Sequence, residues 1–164
     1  MKKNQEVHID IRPPYAFAFH EEGMSTKDML FYSKKDKSLH FKHKASFLNY
    51  MNEMDEDREY RLHISDEEAN NMKDVFKLII KAYNAFLERN GDEWCVLDGS
   101  ECTVICWHQR VRFDTPFSEP FTSFYDLIIQ TLYVNEEREK PDYAEFKMQI
   151  PMVKEKLINY LYKG

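Results

Sequence analysis

Residues 65–91 constrain this chain more than any other stretch. Ser65-Asp66-Glu67-Glu68 has the form of a capping box: a serine to cap, a glutamate three residues on to reach back, and acids in the electropositive first turn. Ala69, Met72, Val75, Phe76, Ile79, Ile80, Tyr83, Phe86 and Leu87 then recur at helical spacing, while Lys73, Asp74, Lys77, Lys81, Asn84 and Glu88 mark the other face. Asn90-Gly91 supplies a left-handed cap. The pattern predicts a helix over 66–90, and its apolar stripe has to be buried against another element.

Around this helix the period changes to two, the signature of strands with one wet face. Val7, Ile9 and Ile11 alternate with His8, Asp10 and Arg12 until Pro13-Pro14. Tyr15, Phe17 and Phe19 alternate with Ala16, Ala18 and His20. Residues 29–32 and 38–43 read as a hairpin around a polar turn at 33–37, a short helix is expected over 45–54, and the acidic run 53–59 reads as a loop. Tyr60, Leu62 and Ile64 resume the alternation. Beyond the helix, 93–97 and 101–107 read as strands joined at Asp98-Gly99, a strong hairpin signal, with a third strand over 110–114. A second helix is expected over 121–134. A short third one is expected over 152–162, started by Pro151 near its first turn. This order predicts an α+β fold: a mainly antiparallel sheet with two long helices and a short C-terminal helix packed on one face, residues 1–164 forming a single domain. A chain of 164 residues buries roughly 70% of its unfolded surface and needs no disulfide or metal to fold.

Composition removes several chemistries. The glycines are Gly23, Gly91, Gly99 and Gly164, too sparse for a dinucleotide fingerprint, a P-loop or a Gly-x-Ser-x-Gly elbow. The first residues lack the apolar core of a signal peptide, and no apolar run is long enough to span a membrane. Cys95, Cys102 and Cys106 are an odd number and read as reduced thiols of a cytoplasmic protein. With 23 basic and 29 acidic residues the formal net charge is −6, which disfavours general nucleic-acid binding.

The thiols open the search for a site. A two-residue loop at Asp98-Gly99 sets Cys95 opposite Cys102, and alternation puts Cys102, Val104, Cys106 and His108 on one face. Cys102 and Cys106 are then roughly 13 Å apart along the strand, too far to share one ion. They read as small core residues, and no metal or cofactor is expected. A turn at His108-Gln109 pairs Trp107 with Arg110, Ile105 with Arg112, Val104 with Phe113 and Cys106 with Val111. This leaves Trp107, Arg110 and Arg112 on the face away from the thiols. Tryptophan and arginine are the types richest in interface hot spots, so these three are the candidate partner-binding residues. The alternative is that Trp107 is covered by a helix or loop, with the arginines stacked on its rim.

Among the histidines, His40-x-x-His43 sends its rings to opposite faces of a strand. His8, His20 and His63, with Asp10, are the groups a dispersed hydrolytic site would gather from several strands. Pro141-Asp142-x-x-Glu145-x-Lys147 superficially resembles a metal-dependent nuclease signature, but two intervening residues cannot form the hairpin that signature needs. The segment 33–44 holds five lysines and protects a sheet edge or touches an acidic partner surface, while 53–57 carries four acids. Three expectations follow. The first is a non-enzymatic protein-binding module, such as a toxin-immunity or inhibitor protein, docking through Trp107, Arg110 and Arg112 or through the run 53–59. The second is a hydrolase with a dispersed His/carboxylate site, and the third a subunit of a homo-oligomer.

Overall fold

The computed structural model describes residues 15–22, 26–45, 58–90, 101–114, 118–132 and 142–163. Alternation becomes strand in β1 (Tyr15–Glu22), β2 (Thr26–Ser33), β3 (Ser38–Ala45) and β4 (Arg58–His63). These are followed by α1 (Asp66–Asn90), β5 (Glu101–Cys106), β6 (Gln109–Asp114), α2 (Phe121–Leu132) and α3 (Tyr143–Lys163). The strands form one sheet in the order β4-β3-β2-β1-β5-β6, with every neighbouring pair antiparallel. The fold is α+β, as the pattern predicts.

Alternation decides which side chains meet the helices. Phe17, Phe19, Leu39, Phe41, Val104 and Phe113 point to one face, and all three helices bury their stripes there in a common cluster. Phe76 of α1 is its hub, with ring centroids 4.7 Å from Phe17 and 5.4 Å from Phe124 of α2. Burying each such side chain stabilises the fold by about 1.5–3 kcal/mol. On the reverse face Ala18, Phe31 and Ile105 form a small second cluster.

The capping box of α1 forms as written in the sequence. The Glu68 amide donates to Ser65 Oγ at 3.1 Å, and the Ser65 amide donates to Glu68 Oε1 at 3.0 Å. That backbone bond, first among its causes, holds the Glu68 carboxyl below the ordinary glutamate range. Lys147 of α3 donates to the other Glu68 oxygen at 3.0 Å and ties the two helices together.

The third helix is longer than expected and does not begin at Pro151. It starts at Tyr143, where the Glu145 amide donates to Asp142 Oδ1 at 3.1 Å, so Asp142-x-x-Glu145 serves as a helix start. Pro151 lies inside α3 on its exposed side. An interior proline costs about 3 kcal/mol. Phe146 and Ile150, both buried ahead of it, offset that cost at about 1.5–3 kcal/mol each.

Of the helix expected over 45–54, Ala45 instead ends β3 and the rest lies outside the described residues, as do the strand read at 7–12, the acidic residues 53–57, the hairpin arm at 93–99, His8, Asp10, Cys95 and Val134. Arg58 and Glu59, read as loop, already belong to β4. Cys102 is flanked by Glu21 of β1 on one side and Phe113 of β6 on the other, so both edges of β5 are taken at that position. No helix among the described residues is long and apolar enough to cross a membrane.

Candidate functional site

The β5–β6 hairpin is closed by Trp107-His108, not by His108-Gln109. Cys106 therefore faces Gln109, Ile105 faces Arg110, Val104 faces Val111 and Thr103 faces Arg112. Relative to the expected pairing this is a slip of two residues, which keeps every side chain on its face. Trp107, however, leaves the strand and enters the turn. Its φ is 57°, a left-handed value that is strained for a bulky residue. Its amide donates to the Ala16 carbonyl at 3.2 Å, so β1, on the far side of β5, helps to fix the turn. Arg110 and Arg112 are exposed on the reverse face of an edge strand, with Arg112 Nε 3.6 Å from Glu101. Trp107 and the two arginines thus do not share one strand face. The indole stands at the hairpin tip.

At the same end of the sheet the β2–β3 turn carries a second left-handed residue, Lys37 with φ 55°. Lys34 of that turn places its Nζ 4.7 Å from the centroid of the Trp107 ring, a cation–π contact between the two tips. Across from both tips runs the first half of α1. Asp66, Ala69, Asn70 and Lys73 face Phe17, Tyr32, Lys34 and Lys37 around about 660 Å³ of open space. One turn further, Lys77 faces Cys106, Trp107, His108 and Gln109 around about 730 Å³ more. The two openings share no lining residue but follow one another along α1, which forms one wall of this groove, with the hairpin tips as the other.

The charge of this groove is opposite to that of the chain. Among the described residues, Lys34, Lys37, Lys73 and Lys77 line it with a single carboxylate, Asp66, which lies 3.5 Å from Lys37. Among the described acids nearby, Asp36 lies 3.4 Å from His40 and 4.0 Å from Arg61, and Asp74 lies 3.8 Å from Lys154 of α3. Burial pushes the Cys106 thiol up, although Lys77 and Lys73 pull against it, which favours its protonated form. The lysines and the indole suit the groove to hold an anionic group beside a flat or apolar one.

A second polar feature lies at the opposite end of the same sheet face. Strand register aligns Cys102, Glu21, Asp28, His43 and Arg58 in one row across β5, β1, β2, β3 and β4. His43 Nδ1 is 2.6 Å from Asp28 Oδ1. The Tyr125 hydroxyl, from α2 crossing above, donates to Glu21 Oε2 at 2.7 Å. Burial and then Glu21 push the Tyr125 hydroxyl far above its ordinary range. An apolar slot lined by Phe19, Phe41, Tyr60 and Ile128 adjoins the row. These contacts clamp α2 to the sheet.

The remaining histidines do not converge. His20 sits on the reverse face between Met29 and Thr103, and burial is the main cause lowering its pKa. His63 is three strands further along, its Nδ1 3.1 Å from Ser38 Oγ. His40 stacks on Phe31 on the reverse face while His43 faces the helices, as alternation requires. Among the described residues no group of three or more His, Cys, Asp or Glu side chains is placed to hold a metal ion. The groove lysines 73 and 77 were legible only as a solvated helix face. The Asp28–His43 pair follows from counting outward from the Ser33–Ser38 closure of the β2–β3 hairpin. No protein-family model matches the chain, and no curated protein matches it as a relative.

Proposed function

We propose that this chain is a non-enzymatic protein-binding module that docks its partner at the sheet end marked by Trp107. The observation that carries this reading is the position of the indole: a strained left-handed turn holds it at the rim of the lysine-lined groove, with Lys34 over its face. Tryptophan at the centre of a docking surface is a common hot spot, and its truncation costs on the order of 2 kcal/mol or more. Arg110 and Arg112 extend the surface along the exposed side of edge strand β6. An inhibitor or toxin-immunity protein is the form of module this reading favours, because such proteins work by occupying a partner and need no catalytic groups of their own.

The test is differential capture from native cells with the immobilised full-length chain, quantified by mass spectrometry. A partner retained by the wild-type chain is expected to fall by at least about tenfold with Trp107→Ala, a change of about 1.4 kcal/mol or more. A Trp107→Ala protein with native circular dichroism and unchanged capture of every partner refutes the reading.

One further observation favours a homo-oligomeric reading. The outer side of α3 exposes Met148 (75%), Met152 (51%), Ile158 (41%) and Tyr162 (71%), an apolar stripe on the side away from the core. Sedimentation velocity with wild type and Met148→Lys tests it. A self-associating wild type and a monomeric variant support an α3 interface, and a wild type monomeric at all concentrations rules it out.

A further inference from the structure

If the Trp107 groove is a docking site, we infer that its occupant is a short acidic segment of the partner protein, held extended between α1 and the two hairpin tips. This rests on the reading above and adds the chemistry of the occupant. The sign comes first. Among the described residues, four lysines and one aspartate line the groove, and the aspartate is already within reach of Lys37. The formal net charge of the chain is −6, so the surface outside the groove is more negative still. An acidic partner is attracted by this cluster while the chain as a whole carries net negative charge, which favours approach from the groove side.

The length comes next. From Asp66 to Lys77 the α1 wall rises about 16 Å at 1.5 Å per residue, the span of about five extended residues at 3.3 Å each. Lys73 and Lys77 are one helical turn apart, about 5–6 Å. Alternate side chains on an extended segment are about 7 Å apart. Flexible ammonium groups absorb the difference, so acids at positions i and i+2 of the occupant face Lys73 and Lys77 in turn. The Lys37–Asp66 pair closes one end of the groove, and Trp107 offers an apolar plane at the other. A nucleic-acid strand presents similar charge, but its length carries it past the four lysines against a chain whose formal net charge is −6. A short peptide segment ends within the groove.

Fluorescence anisotropy with the full-length chain and a dye-labelled Glu-Leu-Glu-Leu-Glu peptide tests the proposal. Hexathymidylate and inorganic phosphate serve as the other arms. Saturable peptide binding is expected, weakened at least tenfold by the Lys73→Glu/Lys77→Glu pair and several-fold by Trp107→Ala. Lys44→Glu, an exposed reversal outside the groove, is expected to leave it unchanged. Circular dichroism checks folding, and Lys73→Gln/Lys77→Gln replaces the reversal if that protein is unfolded. Absence of saturable binding, or binding indifferent to both lysine pairs, overturns the proposal. Tighter binding of hexathymidylate overturns it in favour of a strand-binding groove, and equal competition by phosphate in favour of a simple anion site. If the peptide fails while Trp107→Ala still abolishes capture of a cellular partner, the docking reading stands and the acidic occupant falls. Failure of both removes both.

Discussion

Tyr125→Phe removes one hydroxyl and should be felt across the whole fold. That hydroxyl donates to Glu21 Oε2 at 2.7 Å, and Glu21 is only 7% exposed, so water cannot readily replace the lost donor. A hydrogen bond to a charged group contributes about 1.5–3 kcal/mol, and leaving a buried acceptor unmatched costs a similar amount. The expected loss is about 2 kcal/mol, read as a lower urea midpoint at unchanged slope. For a chain of this size that corresponds to a drop in Tm of about 4–8 °C. Glu21→Gln keeps an acceptor oxygen opposite the hydroxyl and should cost less, and the double mutant should show coupling between the two sites. The alkaline limb supplies an independent readout. Burial and Glu21 raise the pKa of Tyr125 in the folded protein. In the unfolded chain an ordinary tyrosine loses its proton near pH 10. Above that pH the unfolded state therefore binds fewer protons, and stability falls as pH rises, by up to about 1.4 kcal/mol per pH unit for this one group. Tyr143, raised by burial and by Glu68, contributes in the same sense. Tyr125→Phe should flatten the limb by one proton and leave the share of Tyr143. A variant within 0.5 kcal/mol of wild type, with an unchanged limb above pH 10, would show that α2 is not clamped through this bond.

Four further outcomes are expected. Phe124→Ala empties a fully buried site against Phe19 and Phe76 and should destabilise the protein by about 3–5 kcal/mol in urea denaturation; a loss under 1 kcal/mol would place α2 off the core. Ser65→Ala should cost about 1 kcal/mol by removing half the capping box. Because the Glu68 pKa is lowered in the fold, its own contribution is present above the ordinary value of 4.5 and disappears as pH falls through the folded value; acid titration of Glu68→Ala against wild type should show the two converging there. Pro151→Ala restores an amide to the middle of α3 on its exposed side and should raise stability by about 1–3 kcal/mol; an unchanged or lower Tm would mean that the ring itself is packed.

The differences between expected and observed structure have identifiable causes. Apolar patterning placed the thiols of β5 on the helix face, but it cannot separate registers that differ by two residues, because both keep every side chain on its face. Turn chemistry then decides, and a tryptophan at positive φ is a choice that local rules count against. What overrides them is long-range: β1 lies on the other edge of β5, and Ala16 takes the Trp107 amide. In α3 the rule that proline starts helices lost to an aspartate cap nine residues earlier and to Phe146 and Ile150, whose burial does not depend on the missing amide.

The groove was less legible than the fold for a reason of topology. Lys73 lies about 40° around the helix from Ala69, and Lys77 about 40° further, at 100° per residue, which is the flank of the apolar arc. On a helix centred over its sheet such lysines merely fringe the interface. Here α1 begins at edge strand β4, anchored where the Ile64 amide donates to Lys37, and must deliver the chain to β5, four strands away. It therefore crosses the sheet, and its first half passes the ends of β2 and β1, where strands give way to hairpin tips. The flank that would otherwise face water there faces Lys34, Lys37 and Trp107 across open space. The insertion of β5 beside β1 thus turns a solvated row of lysines into the wall of a groove, and no periodicity within α1 encodes a strand order set by residues outside the helix.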